Sequence, residues 1–172
     1  QNLVLKLRPG IKTHNVAPLN GRPFTAKAVA WNIKRKAGLL DPKLAAQKYA
    51  RYAQFAGVTD AVAVDDTTVK VTLNKPNGSL MSALSDPRAN MIPQEFEQIG
   101  FKDPMKFGGT GAWIPASYVD GTRQTFKANP DYWGTKPFFQ DVTFKYFKDP
   151  SALNNALLTG TIDVVGTVQA PE

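Results

Sequence analysis

Three glycines within four residues, Gly108-Gly109-Thr110-Gly111, open the stretch that most constrains this chain. Glycine allows positive φ and close approach of another group, so the loop is expected to exploit one or both, with Gly111 the candidate for positive φ. The runs Trp113 to Val119 and Thr122 to Ala128 follow, on either side of Asp120-Gly121. Asp-Gly between two such runs is a strong hairpin signal. Asn129-Pro130-Asp131 then breaks the second strand, and Tyr132-Trp133-Gly134 puts two large rings where a loop is normally polar. The rings read first as plugs that seal the loop onto the core, and second as a ligand platform.

The rest of the chain divides by periodicity. Leu3, Leu5 and Leu7 alternate with Val4, Lys6 and Arg8, the pattern of a half-buried strand, which Pro9-Gly10 ends. Asn20-Gly21-Arg22-Pro23 is a turn, and Thr25 starts a helix to about Ala37. Ala26, Val29, Ala30, Ile33 and Ala37 share one face of it, while Trp31 points nearly opposite and calls for cover on both sides. Asp41-Pro42 supplies the N-cap and first-turn proline of a second helix to Ala56. Its expected apolar stripe is Ala45, Tyr49, Tyr52, Ala53 and Ala56, with Gly57 as its end.

Val58 to Val64 and Thr68 to Leu73 form a hairpin about Asp65-Asp66-Thr67, with Val69, Val71 and Leu73 inward. Ser79 is read as the cap of a short helix through Leu84, and Pro93 as the start of another through about Ile99. Gln140 to Phe147 is a strand, Asp149-Pro150-Ser151 starts a helix through Leu158, and Ile162 to Val165 is the last strand.

Several chemistries find no support. The chain has no cysteine, which excludes disulfides, thiolate metal sites and a cysteine nucleophile. His14 is the sole histidine, without a carboxylate cluster beside it, and reads as structural rather than as a metal ligand. The glycine loop fails the P-loop test, because no Gly-Lys-Ser/Thr closes it and a strand follows. Adjacent aspartates at a hairpin tip are usually turn formers, so Asp65 and Asp66 are not taken as an acid pair. No nucleophile elbow or zinc-protease motif occurs. No catalytic residue, metal or cofactor is therefore expected. No run of about 18 apolar residues is present, and Gln1-Asn2-Leu3-Val4 has neither the basic nor the apolar region of a signal peptide.

Charge is uneven. Residues 1–59 hold eleven Lys and Arg against the single acid Asp41, whereas the remainder holds ten against thirteen acids. Such asymmetry can mark a polyanion-binding surface. The cations are scattered apart from Lys34-Arg35-Lys36, so a solvated or internally balanced face is expected, and no nucleic-acid partner.

The ordered series of motifs resembles the family 5 extracellular solute-binding proteins, the oligopeptide-, dipeptide- and nickel-binding receptors of ABC importers. The resemblance rests on Gly-Thr-Gly with a following aromatic, the hairpin, and Asn129-Pro130-Asp131-Tyr132-Trp133-Gly134. It extends through Leu5-Lys6-Leu7-Arg8-Pro9-Gly10 with His14, Asn20-Gly21-Arg22-Pro23-Phe24-Thr25-Ala26, Val64-Asp65-Asp66-Thr67-Thr68-Val69, Leu73 to Pro76, Ile92-Pro93 and Gly160-Thr161-Ile162-Asp163. Two positions depart from the family pattern: Lys27 and Ala28 replace an acidic pair, so Thr25 lacks the partner of a capping box, and Trp113 stands where tyrosine is commoner.

The resemblance implies a mixed α/β (α+β) fold, a periplasmic-binding-protein-like lobe with short, partly antiparallel sheets and flanking helices. It also implies that residues 1–172 are a single fragment of lobe I of a longer, two-lobed protein. Within it, about 25–107 would form a helical and hairpin subdomain, and about 1–24 with 108–172 a sheet portion leading to the interlobe hinge. The implied function is binding of a solute, peptide foremost, and its delivery to a membrane ABC permease. The implied place is periplasmic or extracellular, with a lipid-anchored parent compatible.

Candidate cleft residues are Arg88, Asn90, Gly109, Thr110, Gly111, Trp113, Gly166 and Thr167. Arg88 is the candidate for an anionic part of the ligand, since its planar fork suits a carboxylate; a surface salt bridge is the plainer reading of it. Tyr52 lies near a region where an aromatic approaches the ligand in oligopeptide-binding relatives. Two other readings stay open: a ligand-sensing module of a transcription regulator, and a basic polyanion-binding domain.

Overall fold

The computed structural model describes residues 1–41, Tyr49 and residues 52–166. Two three-stranded antiparallel sheets organise them, in the mixed α/β class expected. In the first sheet, β1 (Asn2–Lys6) and β2 (Val58–Ala63) flank the central β3 (Thr68–Leu73). In the second, β4 (Trp113–Val119), β5 (Arg123–Ala128) and β6 (Asp141–Lys145) follow chain order. Because β1 pairs with β3, from Leu3↔Val71 to Lys6↔Thr68, it belongs to the first sheet and not with residues 108–172.

Alternation explains the first sheet. Val69, Val71 and Leu73 are buried while Lys70 between them is exposed, as period-2 patterning requires. The helix α1 (Ala26–Lys36) lies on that apolar face and buries Ala26, Val29, Ala30 and Ile33. Thr25 is extended and occupies the cap position, yet its side chain makes no capping bond. The amide of Ala26 instead donates to the Asp66 carbonyl at 2.8 Å, so the β2–β3 hairpin tip serves the helix start. Lys34, Arg35 and Lys36 fill the last turn, where cations suit the helix dipole.

The expected two-sided cover of α1 is met differently from the prediction. Trp31 is half-buried, and the deeply buried residue on that flank is Asn32, 1% exposed. Its amide donates to the carbonyls of Ala28 and Ile92, and its oxygen accepts from the Ile92 amide at 2.9 Å.

Of the helix expected over 42–56, all but Tyr49 and the final turn lie outside the described residues. That turn, α2 (Tyr52–Phe55), corrects the proposed stripe: Ala53 and Ala56 are exposed, and Phe55 is fully buried in the core with Val58, Ala61 and Val69. A short helix α3 (Leu80–Leu84) follows, but Ser79 does not cap it through its side chain. Asn77 holds the turn, its oxygen accepting from both the amide and the hydroxyl of Ser79. The next helix, α4 (Phe96–Ile99), begins a turn later than Pro93.

In α5 (Pro150–Leu158), Asp149 caps as the sequence indicates, accepting from the Ala152 amide at 2.8 Å. The stretch Ile162 to Val165 is not a strand, and Val164 stands largely exposed. A strand needs a neighbour for its backbone groups, and none of the described strands pairs with this stretch. Among the described residues, no helix is long and apolar enough to cross a membrane.

The hairpin tip behaves as a turn. The Asp65 carboxylate accepts from the amide and hydroxyl of Thr67, and the Thr67 amide, with the Thr68 and Thr67 hydroxyls, pulls its pKa down to about 2. A carboxyl held ionised in this way cannot serve as a general acid near neutrality.

Two outcomes follow from this core. Phe55→Ala is expected to lower stability by about 3–5 kcal/mol, while Ala53→Ser and Ala56→Ser change it by less than about 0.5 kcal/mol, in urea titrations. Asp65, depressed in the folded state, adds stability that is present above about pH 4 and lost as pH falls through about 2. Asp65→Asn is therefore expected to flatten the fall in the urea midpoint over that window.

Candidate functional site

A loop with three glycines carries almost no side chain of its own, so its shape must be imposed from outside. Two distant residues do this. The Gly109 amide donates to Nδ1 of His14 at 3.1 Å, and the amide of His14 donates to the Gly109 carbonyl at 2.8 Å. Since Nδ1 accepts, the neutral ring carries its proton on Nε2, which donates to the Gly111 carbonyl at 3.0 Å. His14 is buried, and its structural role agrees with the sequence reading.

Asn129 closes the loop from the other side. Its side-chain amide donates to the Gly111 carbonyl at 2.9 Å, and its backbone amide donates to the Ala112 carbonyl at 2.8 Å. Its oxygen accepts from the Asp131 amide, an Asx turn across Pro130. The indole N–H of Trp133 donates to the Thr110 carbonyl at 3.0 Å. Protein donors thus occupy four successive carbonyls, from Gly109 to Ala112. The amides of Thr110 and Gly111 meet no acceptor among the described residues.

Trp133, expected to plug the loop onto the core, instead stays 43% exposed and packs on the loop and its neighbours. The Arg8 guanidinium lies 4.8 Å above its ring and donates to its carbonyl, and Tyr132 packs beside it. Gly134 is needed for that approach, since a Cβ there would meet the Tyr132 ring at 2.9 Å. Trp113 heads β4 opposite Ala128, half-buried.

Arg88 and Asn90 lie in a second loop. Both are exposed, and the Arg88 fork is engaged by its neighbour Asp86 at 3.0 and 3.2 Å, the surface pair foreseen as the plainer reading. This pairing raises the Arg88 pKa. The loop is anchored through Ile92 to Asn32 of α1. Beyond it, Glu95 forms a bidentate pair with Arg22, which lowers the Glu95 pKa and raises that of Arg22. Phe96 packs edge-on against Phe107 at 5.3 Å, immediately before Gly108.

The structure therefore brings Gly109, Thr110, Gly111 and Trp113 into one hub and leaves Arg88 and Asn90 in a neighbouring loop joined to it by Arg22–Glu95 and Phe96–Phe107. Gly166 is exposed, and Thr167 lies outside the described residues. His14, Asn129 and Asn32 were not anticipated as organisers. Asn129 alone had a local signal, the Asn-Pro-Asp turn. Among the described residues no group of three His, Cys, Asp or Glu is placed to hold a metal. A shallow groove of about 390 Å³, lined by Gly57, Asn74, Lys75 and Asn77 among others, includes none of the candidate residues.

The expected role of Gly111 is corrected. None of Gly108, Gly109 and Gly111 has positive φ, and the crowded position is Gly108. A Cβ there would fall 2.6 Å from Cδ1 of the buried Leu19 and 3.2 Å from Val16. Gly108→Ala is expected to destabilise by about 1–3 kcal/mol through overpacking. Gly109→Ala and Gly111→Ala, which add a methyl to open or loosely occupied space, should cost well under that in the same thermal melts.

The chain resembles several proteins of known role. It is 30% identical to the nickel-binding periplasmic protein of Escherichia coli over 85% of this chain and 27% of that protein. It is 28% identical to di/tripeptide-binding protein 4 of Pseudomonas aeruginosa over 92% of this chain and 32% of the relative. It also superposes on the crystal structure of NikA from Brucella suis in complex with Fe(III)-EDTA with a TM-score of 0.77 and 28% identity, covering 94% of this chain and 31% of that one. The chain thus spans about a third of the length of such relatives. The profile described as bacterial extracellular solute-binding proteins, family 5 middle, matches residues 1–172, and the chain belongs to that family.

Proposed function

We propose that these residues form part of the first lobe of a two-lobed receptor, periplasmic or extracellular, that binds a small solute for an ABC importer. The family match along the whole chain carries this reading. The family comprises binding proteins, and the relatives named above bind nickel or short peptides by their names.

The loop geometry supports a ligand that presents oxygen. With the carbonyls from Gly109 to Ala112 already occupied, the loop offers the adjacent amides of Thr110 and Gly111. Two adjacent N–H donors suit a carboxylate or a peptide carbonyl. Arg88, exposed and held only by Asp86 beside it, adds a fork for an anionic group. A peptide satisfies both features and is the favoured ligand class. Asn90, Trp113, Gly166 and Thr167 complete the proposed wall, with Gly166-Thr167 leading toward a hinge and a second lobe. The membrane permease would be the partner of the complete receptor.

One wall leaves most of a ligand wet, and affinity depends on burying ligand surface against a preorganised site. The 172-residue chain alone is expected to bind di- to pentapeptides no more tightly than roughly millimolar, about 4 kcal/mol. The complete receptor should bind its cognate pool far more tightly. Calorimetry on both decides the matter: micromolar binding by the 172 residues alone would mean that one lobe holds a full pocket.

A further inference from the structure

The chain contains two Asn-Gly pairs, Asn20-Gly21 and Asn77-Gly78. An asparagine followed by glycine is chemically labile, because glycine has no Cβ to keep its backbone nitrogen away from the asparagine side chain. The nitrogen attacks the side-chain amide carbon and the carbon–nitrogen bond of that amide breaks. The amide nitrogen leaves as ammonia, with the proton that the backbone nitrogen gives up. Water then opens the cyclic imide at either carbonyl, giving aspartate or isoaspartate. No oxidant, metal or cofactor enters the balance. In a folded chain the rate depends on whether the attacking nitrogen and the attacked side chain are free to meet.

The two pairs are held in different ways. Asn77 is gripped by its side chain: its amide donates to the Gln54 carbonyl at 2.8 Å, and its oxygen accepts from the Ser79 amide at 3.1 Å and the Ser79 hydroxyl at 2.8 Å. All of these bonds must break before the side chain can turn to the Gly78 nitrogen. Asn20 is exposed, and its side chain meets no hydrogen-bonding partner among the described residues. With φ of 52° at Asn20 and 70° at Gly21, and the Arg22 amide donating to the Leu19 carbonyl at 3.2 Å, it sits in a type I′ turn. Only the attacking nitrogen is held there, by a bond from the Gly21 amide to the His14 carbonyl at 3.1 Å. One bond in an exposed turn opens more readily than three around a side chain.

We propose that Asn20 is a site of spontaneous deamidation in the folded protein, that Asn77 is protected, and that the change at Asn20 is transmitted to the glycine loop. The route is short. The His14 carbonyl that accepts from Gly21 belongs to the residue whose amide donates to Gly109 and whose ring bonds to Gly109 and Gly111. Closing the imide consumes the Gly21 N–H, so this carbonyl loses its donor. Opening to isoaspartate routes the main chain through the former side chain and adds one carbon between residues 20 and 21. A two-residue turn has no slack to absorb it. Leu19, 1% exposed, packs against Gly108, where its Cδ1 lies 2.6 Å from the place a Cβ would take. On the other side of the turn, Arg22 is tied to Glu95. Displacing Leu19 relative to Arg22 therefore disturbs the bed on which the loop rests. This inference does not depend on the ligand proposed above.

The test is to incubate the natural polypeptide that carries this sequence, folded and unfolded in guanidinium chloride, under warm and mildly alkaline conditions. Tandem mass spectrometry of the tryptic peptides covering 13–27 and 71–88 gives the conversion rate at each asparagine. Relative to its own rate in the unfolded chain, Asn20 is expected to convert at least about tenfold faster than Asn77 in the folded protein. Amide hydrogen exchange over 108–112 is expected to speed up by about tenfold in the aged protein. Asn20→Gly, which suits the positive φ and removes the reacting group, is expected to age without that change. Should that variant fail to fold, freshly prepared Asn20→Asp, with the charge but not the added carbon, supplies the baseline. No conversion at 20 in the folded protein, or equal relative rates at 20 and 77, overturns the proposal. Conversion at 20 that leaves exchange over 108–112 at the baseline overturns it as well, since the turn would then age without reaching the loop.

Discussion

Everything at the candidate site depends on how a nearly side-chain-free loop is held still. Glycines give up more conformational freedom on folding than other residues, so this loop orders only if its backbone groups find fixed partners. His14 and Asn129 provide them, one from 97 residues before Gly111 and the other from 18 residues after it. Each such bond contributes about 1 kcal/mol net, and leaving a buried partner unmet costs about 1–3 kcal/mol. The arrangement is asymmetric in a useful way. The carbonyls from Gly109 to Ala112 are taken by protein donors, whereas the amides of Thr110 and Gly111 meet no acceptor among the described residues.

The loop also marks a boundary in how the molecule is stabilised. Before it lies a conventional two-layer core, with α1 and Phe55 against β1–β3. After it lies an amphipathic sheet with little buried beneath it. Contacts that tie the halves together include the His14 hub, Arg8 on Trp133 and the Lys12–Asp131 pair. The buried His14 carries more of that burden than the exposed Lys12–Asp131 pair, whose solvent-screened contribution is about 0–1 kcal/mol.

What the sequence revealed follows from range. The hairpins at Asp65-Asp66-Thr67 and Asp120-Gly121 and the Asp149 cap are set by neighbours a few residues apart, so composition and spacing expose them. The roles of His14 and Asn32 depend on contacts made 60 to 97 residues away, and nothing local distinguishes them from a loop histidine or a mid-helix asparagine. Errors arose where one local rule had two solutions. Phe55 and Ala56 are adjacent, and a short helix can aim either at the core, so the larger side chain won. Glycines in a row suggested positive φ, but the close approach of Leu19 to Gly108 is what the loop demands. A stretch such as Ile162 to Val165 has strand composition, yet strand formation belongs to a pair of segments and cannot be read from one.

The uneven charge is resolved by the same long-range logic. Four of the eleven cations of the first 59 residues find acids from beyond that point: Lys12 with Asp131 at 3.5 Å, Arg22 with Glu95, Lys34 with Asp60 at 2.9 Å, and Arg35 with Glu97. Arg35 also covers the Tyr49 ring at 4.3 Å. Lys36 is buried, and desolvation, reinforced by the charge of Arg35, lowers its pKa. The one basic run, Lys34-Arg35-Lys36, is thus spent on partners and core rather than presented to solvent as a strip. A polyanion binder needs its cations free and clustered on one face. Here four ion pairs offset charge where the two stretches meet, while the chain as a whole keeps a net charge of +7. Part of what looked like a surface field in the sequence is a seam between segments of one fold.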